Sequence, residues 1–235
     1  MIRTCLLLCL IFLGGRLFAQ DVASRSSIDN YVIEYLQTVG NQSALYYGKP
    51  QEAHPRTQNH PYLKDPQYTK ARLSYRQIVY PEAMLRLDCN RDELIVLLPD
   101  YRNIVLVPEN VDDVVLYDQH IIYFRHDSLP GCPSSGYYIL LHSGKCKVLE
   151  KQTATFLLKG SFSSEYDYHR EIHFFLYKDG VYYTIRTKKG LLKVLQPHKK
   201  ELKRFISSHR LRFKENTEAF LTRTVSEYEK LSGSR

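Results

Sequence analysis

The chain has 235 residues, 43% hydrophobic and 25% charged, with a formal net charge of +8. That balance excludes a wholly disordered or collagen-like protein and fits one large domain or two small ones. The aromatic content is skewed, with 19 tyrosines, 2 methionines and no tryptophan.

The N-terminus reads Met1-Ile2-Arg3-Thr4, then the apolar run Cys5 to Leu13, then Gly14 to Gln20. A charged start, a short apolar run and a small residue before a polar stretch are the layout of a secretory signal peptide over 1–19, cut after Ala19. The run is shorter than the about 20 residues a spanning helix needs. Cys9 lies inside it, without the small residues that lipid attachment requires. The expected protein is therefore exported, in the periplasm or outside the cell, peripheral to a membrane if it meets one. Losing Arg3 and Arg16 takes the charge to about +6. Cys89, Cys132 and Cys146 remain, and an oxidising compartment allows two readings. Cys132 and Cys146, flanking one predicted strand, form a disulfide across neighbouring strands, or all three cysteines are buried thiols.

Residues 20–235 read as a single α+β domain. Ser27 precedes Ile28, Tyr31, Val32, Tyr35, Leu36 and Val39, and Gly40 follows. That spacing predicts a capped helix over about 28–39. Gly48 to Pro66 holds four prolines and two histidines and is read as loop. From about 72 to 187 the pattern is β. Arg72–Tyr80, Ala83–Cys89, Glu93–Leu98, Tyr101–Val107, Val114–Tyr117, His120–Arg125, Tyr137–His142, Cys146–Leu149, Ala154–Leu158, Ile172–Tyr177 and Val181–Thr187 are strand candidates. Lys178-Asp179-Gly180 carries the one explicit hairpin signal. Short strands without intervening helices imply an antiparallel meander, curling into a sandwich or partial barrel. Gly190–Leu195 reads as an apolar turn. Pro197 opens a helix over about 197–208 as its first helical residue. A second C-terminal helix follows over about 216–231, and both are expected to pack on the sheet.

Several of these segments carry a family likeness. Leu45-Tyr46-Tyr47-Gly48, His60-Pro61-Tyr62-Leu63, a strand ending in Asp88, the turn Arg91-Asp92-Glu93, and Gly136-Tyr137-Tyr138 before a hairpin occur in that order. Lys188-Lys189-Gly190-Leu191-Leu192 and Lys199 to Lys203 follow. This arrangement resembles a family of uncharacterised secreted proteins common in Bacteroidota. The chain departs from that pattern in lacking a glycine before Leu73 and in having Leu87-Asp88 where Tyr-Asp is usual. The resemblance implies export and the fold class, and carries no activity.

The chemical motifs are weak. His169 and His173 flank Glu171, but a strand sets residues four apart about 13 Å from each other, too far to chelate one ion alone. Gly131-Cys132-Pro133-Ser134-Ser135-Gly136 lacks the spacing of a hydrolase elbow. The carboxylates Asp88, Asp92, Glu93, Asp100, Glu109, Asp112 and Asp113 fall mostly in predicted turns. No phosphate or dinucleotide loop is present. No catalytic, cofactor-binding or metal-binding residue is therefore assigned.

The clearest electrostatic feature spans 186–214, which holds eleven Lys or Arg residues against Glu201 alone. Its Lys199, Lys200, Lys203 and Arg204 are candidates for contact with an anionic lipid or glycan surface. A solvated helix face is the alternative. Nucleic acid is not expected, since export removes it as a partner. The tyrosines mostly follow the β preference of that residue. The functional expectation is an exported cell-envelope protein that binds a partner without catalysis. Two alternatives stand beside it: a periplasmic lipid or lipoprotein carrier with an apolar groove, and an enzyme acting on envelope glycans.

Overall fold

The computed structural model describes residues 30–35, 44–159 and 165–233. The signal segment and the ends of the N-terminal helix lie outside these residues. Residues 30–35 are helical and form α1. A 3-10 turn at Ala44–Tyr46 follows. Eleven strands then make one antiparallel sheet in the order β1-β5-β4-β3-β2-β6-β7-β8-β9-β10-β11. They are β1 Lys49–Pro50, β2 Thr69–Tyr75, β3 Ile78–Asp88, β4 Glu93–Leu97, β5 Asn103–Val105, β6 Val111–Leu116, β7 Gln119–Phe124, β8 Gly136–Ser143, β9 Lys147–Leu158, β10 Tyr166–Lys178 and β11 Val181–Thr184. Two meanders, β2 to β5 and β6 to β11, are joined by the β2–β6 pair. Three helices complete the chain: α2 Lys188–Val194, α3 Lys199–Ser208 and α4 Thr217–Gly233. None of the described helices is long and apolar enough to cross a membrane.

The sheet is not closed, since β1 and β11 are its free edges. It bends strongly all the same. Ala154 N of β9 donates to Cys89 O, just past β3, at 3.0 Å. In the β3–β4 turn, Asp92 accepts from Lys151 Nζ at 2.5 Å and from Tyr137 N at 3.2 Å. The concave side is filled by Leu73, Tyr75, Leu85, Leu87, Leu116, Ile121 and Tyr137. A second core joins α2, α3 and α4 to β8–β11 through Leu191, Leu202, Ile206, Phe220, Val225 and Leu176.

Five expectations change. Arg72–Tyr80 is not one strand, because Arg76 and Gln77, at φ +52° and +63°, turn the chain between β2 and β3. Asp112 holds that turn by accepting Gln77 N at 2.7 Å, with Arg76 N donating to Asn110 O at 2.8 Å. Cys146–Leu149 and Ala154–Leu158 belong to one strand, β9, whose buried Glu150 and Lys151 broke the apolar pattern. Gly190–Leu195 is largely helix α2, capped by Thr187, whose Oγ1 accepts Gly190 N at 3.0 Å. The next helix starts at Lys199, so Pro197 precedes it. A residue of the loop, Pro50, adds a short edge strand against Ile104, where a missing donor does no harm.

Candidate functional site: an apolar groove with a tyrosine rim

A half-open groove of about 460 Å³ opens on one side of the sheet. Its floor is made by Leu45, Tyr80, Ala83, Val96 and Leu98, all members of the main core. The groove is thus an opening onto the interior of the bent sheet. Tyr80 and Ala83 are both buried although three apart in β3. A register shift in the β2–β3 ladder, between Ala71 and Leu73, accompanies this break in alternation. Pro81 and Pro99 form part of the lining where the strands lose their regular pairing. Among the described residues Glu82 is the one charged lining residue, and it pairs with Lys70 at 2.8 Å.

Ile33 of α1 faces the groove, while Tyr31 and Tyr35, 71% and 61% exposed, point away on the other side of that helix. Tyr101 lines the opening and is 86% exposed. It sits at φ +65°, a strained backbone for an aromatic residue. Its N–H donates to Leu98 O at 2.9 Å and so closes the turn that displays the ring. Tyr46 forms another wall, with the Arg102 guanidinium 5.0 Å from its ring centre. Arg102 hydrogen-bonds Asp100 and holds that carboxyl below its ordinary pKa. The rim is aromatic and polar, and the floor is apolar.

A His–acid pair lies at the far end of β3. His54 Nε2 donates to Asp88, and His54 Nδ1 accepts from the Tyr168 hydroxyl at 2.8 Å, the tautomer that satisfies all three groups. Burial raises the Tyr168 pKa and keeps it a donor. The other Asp88 oxygen accepts Asn90 N at 2.9 Å and Arg91 N at 3.1 Å. The His54 and Asp88 side chains are only 8% and 0% exposed, which sets them apart from bulk solvent. The trio fastens the proline-rich loop to the sheet. Neighbouring bonds act likewise. Arg170 donates to His60 O and Tyr62 O, and Arg86 stacks between the Tyr62 and Tyr68 rings at 4.0 and 4.2 Å.

The sequence candidates do not converge. On β10 His169 is exposed and His173 half-buried, each near Glu171, at 3.9 and 3.5 Å. Asp92 is held by Lys151, Glu93 by Lys49, Asp113 by His120 and Asp112 by the Gln77 turn. In the Gly131–Gly136 loop, Ser135 Oγ accepts His126 N at 2.9 Å, and burial raises the Cys132 pKa. Cys132 and Cys146 are not paired: both are free thiols, in different clusters. Cys146 packs beneath the helices, and Cys132 packs beside Tyr138 and Tyr182. Lys199, Lys200, Lys203 and Arg204 lie together on α3, away from the groove lining. Sequence reading missed the groove because its residues come from four separate segments. The prolines at 81 and 99 were the one local sign of it. Comparison with protein families, curated proteins and solved structures finds no match for the chain.

Proposed function

We propose that the chain is an exported, non-enzymatic binding protein whose groove holds an acyl chain of a lipid or lipoprotein. The bent sheet is read as a partial barrel with this groove at its mouth, a common place for ligand sites. The observation that carries the reading is the apolar floor of a groove of about 460 Å³, whose one charge among the described residues is already paired. Taking the roughly 30 Å³ of a water as the unit, it has room for about fifteen methylene-sized groups. Ten buried methylenes contribute about 8 kcal/mol, from which the costs of association and of ordering the chain are subtracted. Glycan hydrolysis has less support. It requires two carboxylates across the scissile bond, and among the described residues the groove lining offers Glu82 alone.

Native mass spectrometry of the chain purified from its own host tests this, together with displacement of a fluorescent fatty acid. A co-purified species of lipid mass and a displaceable probe are expected. Ala83→Phe, which fills the floor, abolishes probe binding while circular dichroism stays unchanged. A ligand-free protein that also ignores the probe overturns the reading.

A further inference from the structure

The basic run between Arg186 and Lys214 folds into a definite surface. Leu191 and Leu192 of α2, and Leu202 and Ile206 of α3, are buried in the helix-side core. Their burial turns Lys188, Lys189, Lys193, Lys200, Lys203 and Arg204 outward, and all six are exposed. Among the described residues, none of these six has an ion-pair partner. Within the whole run only Arg212 has one among the described residues, Glu215 at 2.7 Å.

The rest of the molecule differs in degree, since Lys64, Arg76, Arg125, Lys147 and Arg223 also have no ion pair among the described residues, while other cations there are paired. Lys49, Lys70, Arg91, Arg102, Lys151, Lys159 and Lys178 each sit within ion-pair distance of a carboxylate. A surface needed only for solubility works well with both signs interspersed, as the remainder of this chain is built. On α2 and α3 the acids are withheld, apart from Glu201. None of the most exposed large apolar side chains falls between 186 and 214. The face carries one half-buried aromatic, Phe205, with its ring centre 4.2 Å from that of His209, and so lacks the series of exposed aromatic platforms that holds single-stranded nucleic acid. It also lacks the apolar wedge of an inserting helix. What remains is a set of unpaired cations on the outward sides of two consecutive short helices.

We infer that this face docks the protein on a bilayer carrying anionic lipids, by electrostatic attraction and without insertion. Each Lys or Arg near such a surface strengthens adsorption about five-fold, and the attraction acts within about one Debye length. Reversing three charges should then weaken binding by a hundred-fold or more. The inference is independent of the groove, since no α2 or α3 residue lines it.

Co-sedimentation of the processed chain, recovered as its host exports it, provides the test. Vesicles of phosphatidylcholine alone are compared with vesicles of phosphatidylcholine and phosphatidylglycerol, at low and high salt. Binding to the anionic vesicles only, lost at high salt and lost in the combined variant Lys200→Glu, Lys203→Glu, Arg204→Glu, supports docking. Circular dichroism checks that this variant keeps its fold, and the fatty-acid probe checks its groove. Ala83→Phe should still sediment with anionic vesicles, which separates this inference from the acyl-chain reading. Equal binding to neutral vesicles, binding without salt dependence, or full binding by the triple variant overturns it. So does tighter binding to heparin or to single-stranded DNA than to the vesicles at matched charge.

Discussion

His54 and Asp88 lie 34 residues apart and share a hydrogen bond inside the protein, with Tyr168 closing the other side of the imidazole. The pair resembles a catalytic dyad in composition, and its burial makes it a fastener. Asp88→Ala removes the acceptor of His54 and of two backbone N–H groups together. About 3 kcal/mol of stability should be lost, within the range for breaking a buried pair. Urea titration measures that loss. Limited proteolysis should show faster cleavage in the loop before Tyr62. Unchanged cleavage there means that other contacts hold the loop.

Glu150 gives the fold a pH dependence. It is fully buried on β9, with Oε1 accepting from Gln152 and Oε2 without a partner among the described residues. Burial pushes its pKa up to about 7; Gln152 opposes the rise, Glu218 of α4 adds to it, and Lys64 opposes it. The folded carboxyl holds its proton more tightly than the unfolded one. Its stabilising contribution is therefore complete below the ordinary value of 4.5 and lost as pH rises through about 7. Glu150→Gln, which stays neutral, should match the natural chain at pH near 4.5 and exceed it by up to about 3 kcal/mol above pH 8. Denaturation midpoints at those two pH values decide it, and equal midpoints at high pH refute it.

The outline of the fold was legible where local chemistry and tertiary structure agree. Asp179-Gly180 turns β10 into β11 with both residues in the left-handed region, as the dipeptide indicates. Arg76-Gln77 makes a similar turn with neither glycine nor asparagine. Its support comes from Asp112 and Asn110, more than thirty residues along the chain, and no window of sequence contains them. Glu150 and Lys151 hid the middle of β9 for a related reason, since polar residues are read as surface until their burial is known. The basic run was legible because charge is a local property, whereas the helix α2 within it was not. The groove was not, because it depends on how four segments meet.

The cysteines offer a direct check of sheet faces. Burial raises Cys89 to about 12 and Cys146 to about 11, which suppresses their thiolates. Cys132 is the partly exposed one. Native alkylation of the processed protein should mark Cys132 first and alone. Denatured alkylation without reductant should mark Cys89 and Cys146 as well. A Cys132–Cys146 disulfide would leave both unmarked in that second experiment.

The edge of β10 permits a test at the level of single N–H groups. Asn59 pairs with both backbone groups of Tyr168 at 2.9 Å, and Phe174 O accepts Ile185 N at 2.8 Å. Both residues therefore point their backbone groups away from β9. By alternation, so do Arg170 and Ile172, whose N–H groups have no partner among the described residues. Glu171, paired with Thr153, directs its N–H into the ladder instead. Proline should consequently be tolerated at 172 and not at 171. Measured against alanine at the same position, Ile172→Pro should cost about 1 kcal/mol or less and Glu171→Pro about 3 kcal/mol. Hydrogen exchange in the unsubstituted protein should show the same contrast, with fast exchange at Arg170 and Ile172 and slow exchange at Glu171. Equal costs at the two positions, or strong protection at Ile172, would mean that this edge is paired in solution.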